Sequence, residues 1–319
     1  PAHYLEKANL GKSGHKPWVF CEHKWHHSWG TPAQHANIEK AQRRGRVNVA
    51  APAVLTDEPM AIPDGMQLAI CIPWNHSEDV WRRAAYDWCL ARWQTTNVPV
   101  YVASGPSRSA MRNEAARRAI AEGATVLFFA DADTWVPMRQ MVLAAIRAQE
   151  TGRLTHAFDG YVRLGSSETR RGQATHSSDP RTLSRLGTKQ RNHMSGASAI
   201  SVDLWQALGG YDERFTSWGF EDRAFDYAAD CIGGGVERVS GIAIHWYHRP
   251  AAEKAIRHRV GMPSVDLVLR YCVAVGKIPE SGTLSTLAMA AVGKHGAPHA
   301  NVMRAILSEP GGPLSVVRD

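Results

Sequence analysis

From Met66 onward the chain alternates short unbroken apolar runs with stretches of helical period; before it, no period is sustained. Gln67-Leu-Ala-Ile-Cys-Ile72, closed by Pro73, reads as a buried strand. Ser77-Glu78-Asp79 then offers an N-cap and an acidic first turn, and Trp81, Ala84, Ala85 and Trp88 recur at helical spacing, which predicts a helix to about Trp93. Val98-Pro-Val-Tyr-Val102 is a second strand, followed by an Ala- and Arg-rich helix over Ser109–Glu122 with Gly123 as its C-cap. Thr125-Val-Leu-Phe-Phe129 is a third strand. Pro137 suits the first turn of the next helix, which ends near Glu150 before Gly152. Strands alternating with helices of this length predict an α/β fold with a mostly parallel sheet. Ligands of such sheets bind beyond the carboxyl ends of the strands, so the loops after Ile72, Val102 and Phe129 are the places to search.

The later pattern is thinner. Residues 165–192 carry Gly, Ser, Thr and Arg with little apolar content and read as a long loop. A strand at Ala199–Val202, a short helix, a helix carrying Glu221–Asp230 and a final strand at Val236–Ile244 follow. This divides the chain into an N-terminal extension (1–62), an α/β domain (63–250) and a mainly helical extension (251–319).

Composition narrows the class. The chain has 319 residues, 44% of them hydrophobic, enough for a sizeable core. No apolar run approaches the roughly 20 residues of a membrane helix, and no basic segment leads into an apolar stretch at the start, so neither a span nor a signal peptide is expected. Five scattered cysteines argue against a disulfide framework and for a reducing, cytoplasmic setting. The formal net charge of +7 favours anionic partners, and arginines cluster between Arg163 and Arg191.

Three constellations carry candidate chemistry. Asp131-x-Asp133 follows an apolar strand directly, where two carboxylates can hold a hard divalent cation; they can also be simple turn chemistry. His245-x-x-His248 follows the last strand and could complete a cation's ligand set, or be a pair of satisfied polar side chains. Gly209-Gly-Tyr-Asp-Glu-Arg-Phe215 runs on to Trp218-Gly-Phe-Glu-Asp222. Trp218 offers a flat face for a sugar ring, and Glu221 and Asp222 offer a proton acceptor, or a helix N-terminus suited to acids.

The order of these segments resembles a nucleotide-diphospho-sugar glycosyltransferase of the GT-A fold. Ala110-Met-Arg-Asn-Glu-Ala-Ala116 with Leu127-Phe-Phe-Ala-Asp-Ala-Asp133 is similar to a block of polypeptide N-acetylgalactosaminyltransferases and family 2 enzymes. Gly209–Asp222 is similar to a block shared with β-1,4-galactosyltransferases, and His245-Trp-Tyr-His248 to the close of the same domains. The resemblance implies a metal-dependent hexosyl transfer from a nucleotide sugar, most simply a UDP-sugar, to an acceptor hydroxyl. It implies Mn²⁺ or Mg²⁺ held by Asp133 and His248, with Asp131 and His245 as further candidates. Pro73, Trp74, Asn75, Arg112 and Asn113 would join the Asp pair in binding the donor, and Trp218, Gly219 and Glu221 would bind the acceptor. Asp222, with Glu221, would be catalytic, as the base of an inverting displacement. Two departures stand out: the block ends Glu-Asp where the N-acetylgalactosaminyl group has Glu-Asn, and Ser104-Gly-Pro stands where an acidic residue usually follows the second strand.

Cys21, His23, His26 and His27 suggest a zinc site, but their spacing matches no standard finger, and a Trp-rich packing segment explains them as well. The rival to an enzyme is a degenerate fold of the same type that binds carbohydrate or nucleic acid. For an enzyme, a protein side chain, a small glycoside and a hydroxylated DNA base all remain as acceptors.

Overall fold

The apolar run at Leu68–Pro73 becomes β1, the second strand of a six-stranded sheet and buried along its whole length. Its alternate residues feed two cores. Ala69 and Cys71 face one side with Leu127 and Phe129; Leu68, Ile70 and Ile72 face the other with Phe128. Both faces are covered by helices, which is why the strand reads as continuous rather than alternating hydrophobicity. The computed structural model describes residues 60–174, 180–191, 193–216, 219–249, 263–277, 288 and 299–315. Residues 1–59, with the Cys21/His23/His26/His27 cluster, lie outside them, as does Trp218.

The chain runs β1, α1 (Val80–Gln94), β2 (Val100–Ala103), α2 (Arg108–Ala121), β3 (Val126–Ala130), β4 (Thr134–Trp135), α3 (Met138–Thr151), β5 (Leu154–His156) and β6 (Gly160–Arg163). There follow α4 (Ser166–Ala174), α5 (Pro180–Ser184), β7 (Thr188–Arg191), β8 (Ala197–Ser201), α6 (Val202–Leu208) and α7 (Glu221–Ile232). The last elements are β9 (Val236–Arg238), β10 (Ile242–His245), α8 (Pro263–Val275) and α9 (Ala300–Leu307). The first sheet has the order β2-β1-β3-β8-β5-β9. Its β1–β2, β1–β3 and β5–β9 ladders are parallel, and β8 runs antiparallel to both neighbours. The mixed, mostly parallel α/β sheet is as the pattern implied. Asp79, within the Ser77–Asp79 segment expected to cap α1, accepts the Trp81 N–H at 3.0 Å; α2 starts one residue earlier than expected, at Arg108, capped by Ser107, which accepts the Ala110 N–H at 3.2 Å.

A second sheet, β4-β10-β6-β7, was not foreseen. The single strand expected over Val236–Ile244 is two strands, β9 and β10, in different sheets. Gly241 lies between them with φ +154°, and a Cβ there would sit 2.3 Å from the Gln140 side chain. The stretch expected as a long loop, 165–192, instead folds as α4, α5 and β7 on this second sheet. Its sparse apolar residues find partners only in three dimensions, as when Leu183 and Trp246 crowd the space beside Gly172. Beneath the sheet, Trp88 lies 4.4 Å from Trp246 and Trp93 lies 4.4 Å from Trp135 between ring centroids, an aromatic layer that anchors β4 and β10 side by side.

Candidate active site

Antiparallel pairing of β4 with β10 sets Thr134 opposite His245, and the Trp246 N–H donates to the Asp133 carbonyl at 2.9 Å. This pairing brings Asp133, on the turn after β3, against both histidines. His248 Nε2 lies 3.2 Å from one carboxylate oxygen and His245 Nε2 lies 3.7 Å from the other. One ligand atom from each of the three residues falls within 4.8 Å of the others. Burial alone would raise the Asp133 pKa, but the two imidazoles overcome it and hold the carboxylate below its ordinary range. Burial lowers His245 to about 4, against the opposing pull of Asp133, so its ring is neutral. Burial alone would lower the His248 pKa, but Asp133 outweighs it and holds that pKa above the ordinary value, so a cation would displace a proton there. An ionised carboxylate with two imidazole nitrogens is donor chemistry that a divalent first-row cation takes, so the three residues fit a metal.

Asp131 is not part of this group. Its carboxylate accepts from Arg112 Nη2 at 2.7 Å. Arg112, on α2 and almost wholly buried, is the hub of a second cluster. Its Nη1 lies 2.8 Å from Asp222 and 3.6 Å from Glu221, and its guanidinium lies 4.9 Å from the centre of the Tyr211 ring. Arg108, one helical turn earlier, reaches Glu221 at 3.4 Å. Glu221 and Asp222 point differently. The Glu221 side chain is 2% exposed and faces the arginines, whereas Asp222 is 23% exposed. Withdrawal from water pushes Asp222 well above the usual carboxylate range; Arg112 opposes this, and Glu221 and Asp131 reinforce it. The backbone entering α7 is unusual, with φ +99° at Gly219 and +77° at Phe220, a region that a bulky side chain rarely adopts.

Two further donor candidates are held in bonds within the protein. The Asn113 side-chain amide donates to the Tyr211 carbonyl at 2.8 Å and its oxygen accepts the Tyr211 N–H at 2.8 Å, so it braces the Gly209–Phe215 loop. Asn75 makes the same double bond with the backbone of Gly105, at 2.8 and 3.1 Å, tying together the turns after β1 and β2. Pro73 is buried within β1. Trp74 is half-buried and stacks on Tyr86 at 4.1 Å, with the Arg82 guanidinium 5.8 Å from its ring centre.

The C-terminal helices, which showed no chemistry in sequence, brace the same loop from the other side. Tyr271 on α8 donates to buried Asp212 at 2.8 Å, and Arg214 bridges Asp212 (2.7 Å) to Glu309 (2.9 Å). Other residues at the site were also missed. Arg163 and His193 sit beside His245, His193 stacking on Tyr161 at 3.9 Å, with burial holding its pKa well below the ordinary value. Only Arg108 left a legible signal, four residues before Arg112 on one helix face.

Residues 183–249 match the family described as the N-terminal domain of galactosyltransferase. No curated protein sequence matches the chain. Among solved structures, the catalytic domain of Drosophila beta1,4galactosyltransferase 7 in complex with xylobiose is 13% identical with a TM-score of 0.36, the overlap covering 54% of this chain and 64% of that one. GalNAc-T7 with UDP, GalNAc and Mn²⁺ is 13% identical with a TM-score of 0.42, covering 75% and 56%. The mannosyltransferase PcManGT from Pyrobaculum calidifontis, in complex with GDP-Man and Mn²⁺, is 12% identical with a TM-score of 0.39, covering 86% and 82%. Among the described residues no helix is long and apolar enough to cross a membrane. The residues that match this family model, 183–249, include His193, Glu221, Asp222, His245 and His248.

Proposed function

We propose that the protein is a metal-dependent glycosyltransferase that moves a hexose from a nucleotide diphosphate sugar to an acceptor hydroxyl with inversion. The observation that carries this reading is the side-by-side placement of two chemically distinct clusters past the carboxyl end of β3. One suits a cation and the other can take a proton. Asp133, His245 and His248 would hold Mn²⁺ or Mg²⁺, which when bound supplies positive charge to a diphosphate leaving group. Asp222 is the group that accepts the proton of the acceptor hydroxyl. It is the outward-facing carboxylate of the pair, and its raised pKa makes it a better base than an ordinary aspartate. Arg112 fixes its orientation, and Glu221 with Arg108 holds the helix start from within. Trp74, on its Tyr86 backing, offers a flat face for the nucleobase. Gly219 and Trp218 precede the carboxylate pair in sequence and are assigned to the acceptor side. The family match over 183–249 supports the reading, because it contains the two histidines of the cation cluster and the Glu221–Asp222 pair.

The test is a thermal-shift screen of nucleotide sugars with and without Mn²⁺, paired with detection of free nucleoside diphosphate. A ligand at a hundred times its Kd stabilises the native state by about 2.7 kcal/mol, a shift of several degrees. Binding that needs Mn²⁺ and disappears in Asp133→Ala is expected, with slow donor hydrolysis that disappears in Asp222→Asn. If no nucleotide sugar raises the melting point and none is hydrolysed, the transferase assignment fails and a binding module replaces it.

A further inference from the structure

Positive charge on this chain is concentrated. Residues 160–191 contain seven Lys and Arg against two Asp and Glu, which accounts for five of the seven net positive charges. The described residues of this stretch cap the second sheet: β7 pairs with β6, β6 pairs with β10, and the Tyr247 N–H donates to Thr169 of α4 at 2.9 Å. The charge therefore lies against His245–His248. Arg163 is the cross-strand neighbour of His245, and Arg170, Arg171, Arg185 and Lys189 are exposed. Glu168 is the one acidic side chain described on the stretch, and it pairs with Arg171 at 3.3 Å.

Flat aromatic faces are interleaved with these cations. The Arg170 guanidinium lies 4.9 Å from the centre of Trp81, and Trp81 meets Tyr247 edge-on at 5.3 Å. Arg82, the next residue of α1, adds a cation beside Trp81. Guanidinium groups alternating with aromatic rings suit a polymer of closely spaced phosphates with exposed bases. A bilayer surface suits them less: among the described residues the large exposed apolar side chains are Val80 and Val302, too few for an inserting face.

We propose that this cap docks a single-stranded nucleic acid and presents it to the site, so that the acceptor hydroxyl is carried on the nucleic acid. The acceptor half of this statement rests on the transferase reading, whereas the docking half does not, and the two fail separately. Docking is measured by fluorescence anisotropy of a labelled, unmodified single-stranded DNA oligonucleotide over a salt series. Each phosphate contact on a single strand contributes about −0.7 to the slope of log K against log salt, so five cations predict a slope of roughly −3 to −4.

The variant Arg170→Glu/Arg171→Glu/Lys189→Glu should reduce the magnitude of that slope by about two and weaken binding at least tenfold. The milder Arg170→Gln/Arg171→Gln/Lys189→Gln, which keeps the fold safer, should give a smaller loss of the same sign. The control Arg117→Glu/Arg118→Glu/Arg304→Glu makes the same change in net charge elsewhere and should leave the slope near that of the wild type. Equal loss in the control and cap variants would reduce the effect to net charge and overturn the proposal. So would the absence of salt-dependent binding, or sedimentation with phosphatidylserine vesicles without any oligonucleotide response. Loss of donor hydrolysis with docking intact would instead point to failure of the transferase reading.

Discussion

Arg112→Met is the sharpest test of how the site is held together. The guanidinium is 3% exposed and lies 2.7 Å from Asp131, 2.8 Å from Asp222 and 3.6 Å from Glu221. Methionine fills much of the space but strands Asp131 and Asp222 without this counter-ion and leaves Glu221 with Arg108 alone. Removing one partner of a buried ion pair costs about 3–5 kcal/mol. Asp131 and Asp222 retain some solvent contact, at 25% and 23% exposure, so the lower end, about 3 kcal/mol, is expected. For a domain of this size that is a fall of roughly 6–12 °C in melting temperature. The loss also depends on pH. Asp222 already has its folded pKa raised above its unfolded value, through burial opposed by Arg112, and the variant removes that opposition. A carboxylate with a raised folded pKa contributes stability that is complete below its unfolded pKa and is lost as pH rises through the folded one. The gap between variant and wild type should therefore widen from pH 5 to pH 8 in urea melts. Arg112→Met/Asp222→Asn should recover part of the loss at pH 8. A gap under about 1 kcal/mol, or one that does not change with pH, would refute the view of Arg112 as the counter-charge of this cluster.

The metal triad should behave as a unit: Asp133→Ala or His248→Ala is expected to abolish the stabilisation produced by Mn²⁺ alone, as read by calorimetric melting, and a full Mn²⁺ response in either would separate the triad from cation binding. Gly209→Ala should destabilise by about 2 kcal/mol or more, because the residue sits at φ +74° and its Cβ would lie 2.4 Å from the Pro313 carbonyl oxygen; a neutral urea midpoint would contradict that packing. Tyr271→Phe removes the hydroxyl that donates to buried Asp212 and should cost about 1–2 kcal/mol, while also raising amide exchange across the Gly209–Phe215 loop that α8 and α9 brace.

Sequence alone determined the α/β framework. Unbroken runs such as Leu68–Pro73 and Val126–Ala130, separated by capped helices, are local signals, since burial on both faces is written into each residue of the strand. It also supplied the types of group at the site, because Asp133, His245, His248, Arg112 and Asp222 stand in short motifs. Tertiary structure alone decided which groups meet. Asp131 and Asp133 are two residues apart, yet one turns to Arg112 and the other to the histidines, because β4 pairs with β10 and pulls only Asp133 across. Glu221 and Asp222 are adjacent, yet the turn of α7 buries the first and leaves the second in partial contact with solvent. The cap at 165–192 and the C-terminal brace were invisible for a related reason. Their stability comes from contacts with residues tens of positions away, such as Trp246 and Asp212, and no local period records a partner that far along the chain.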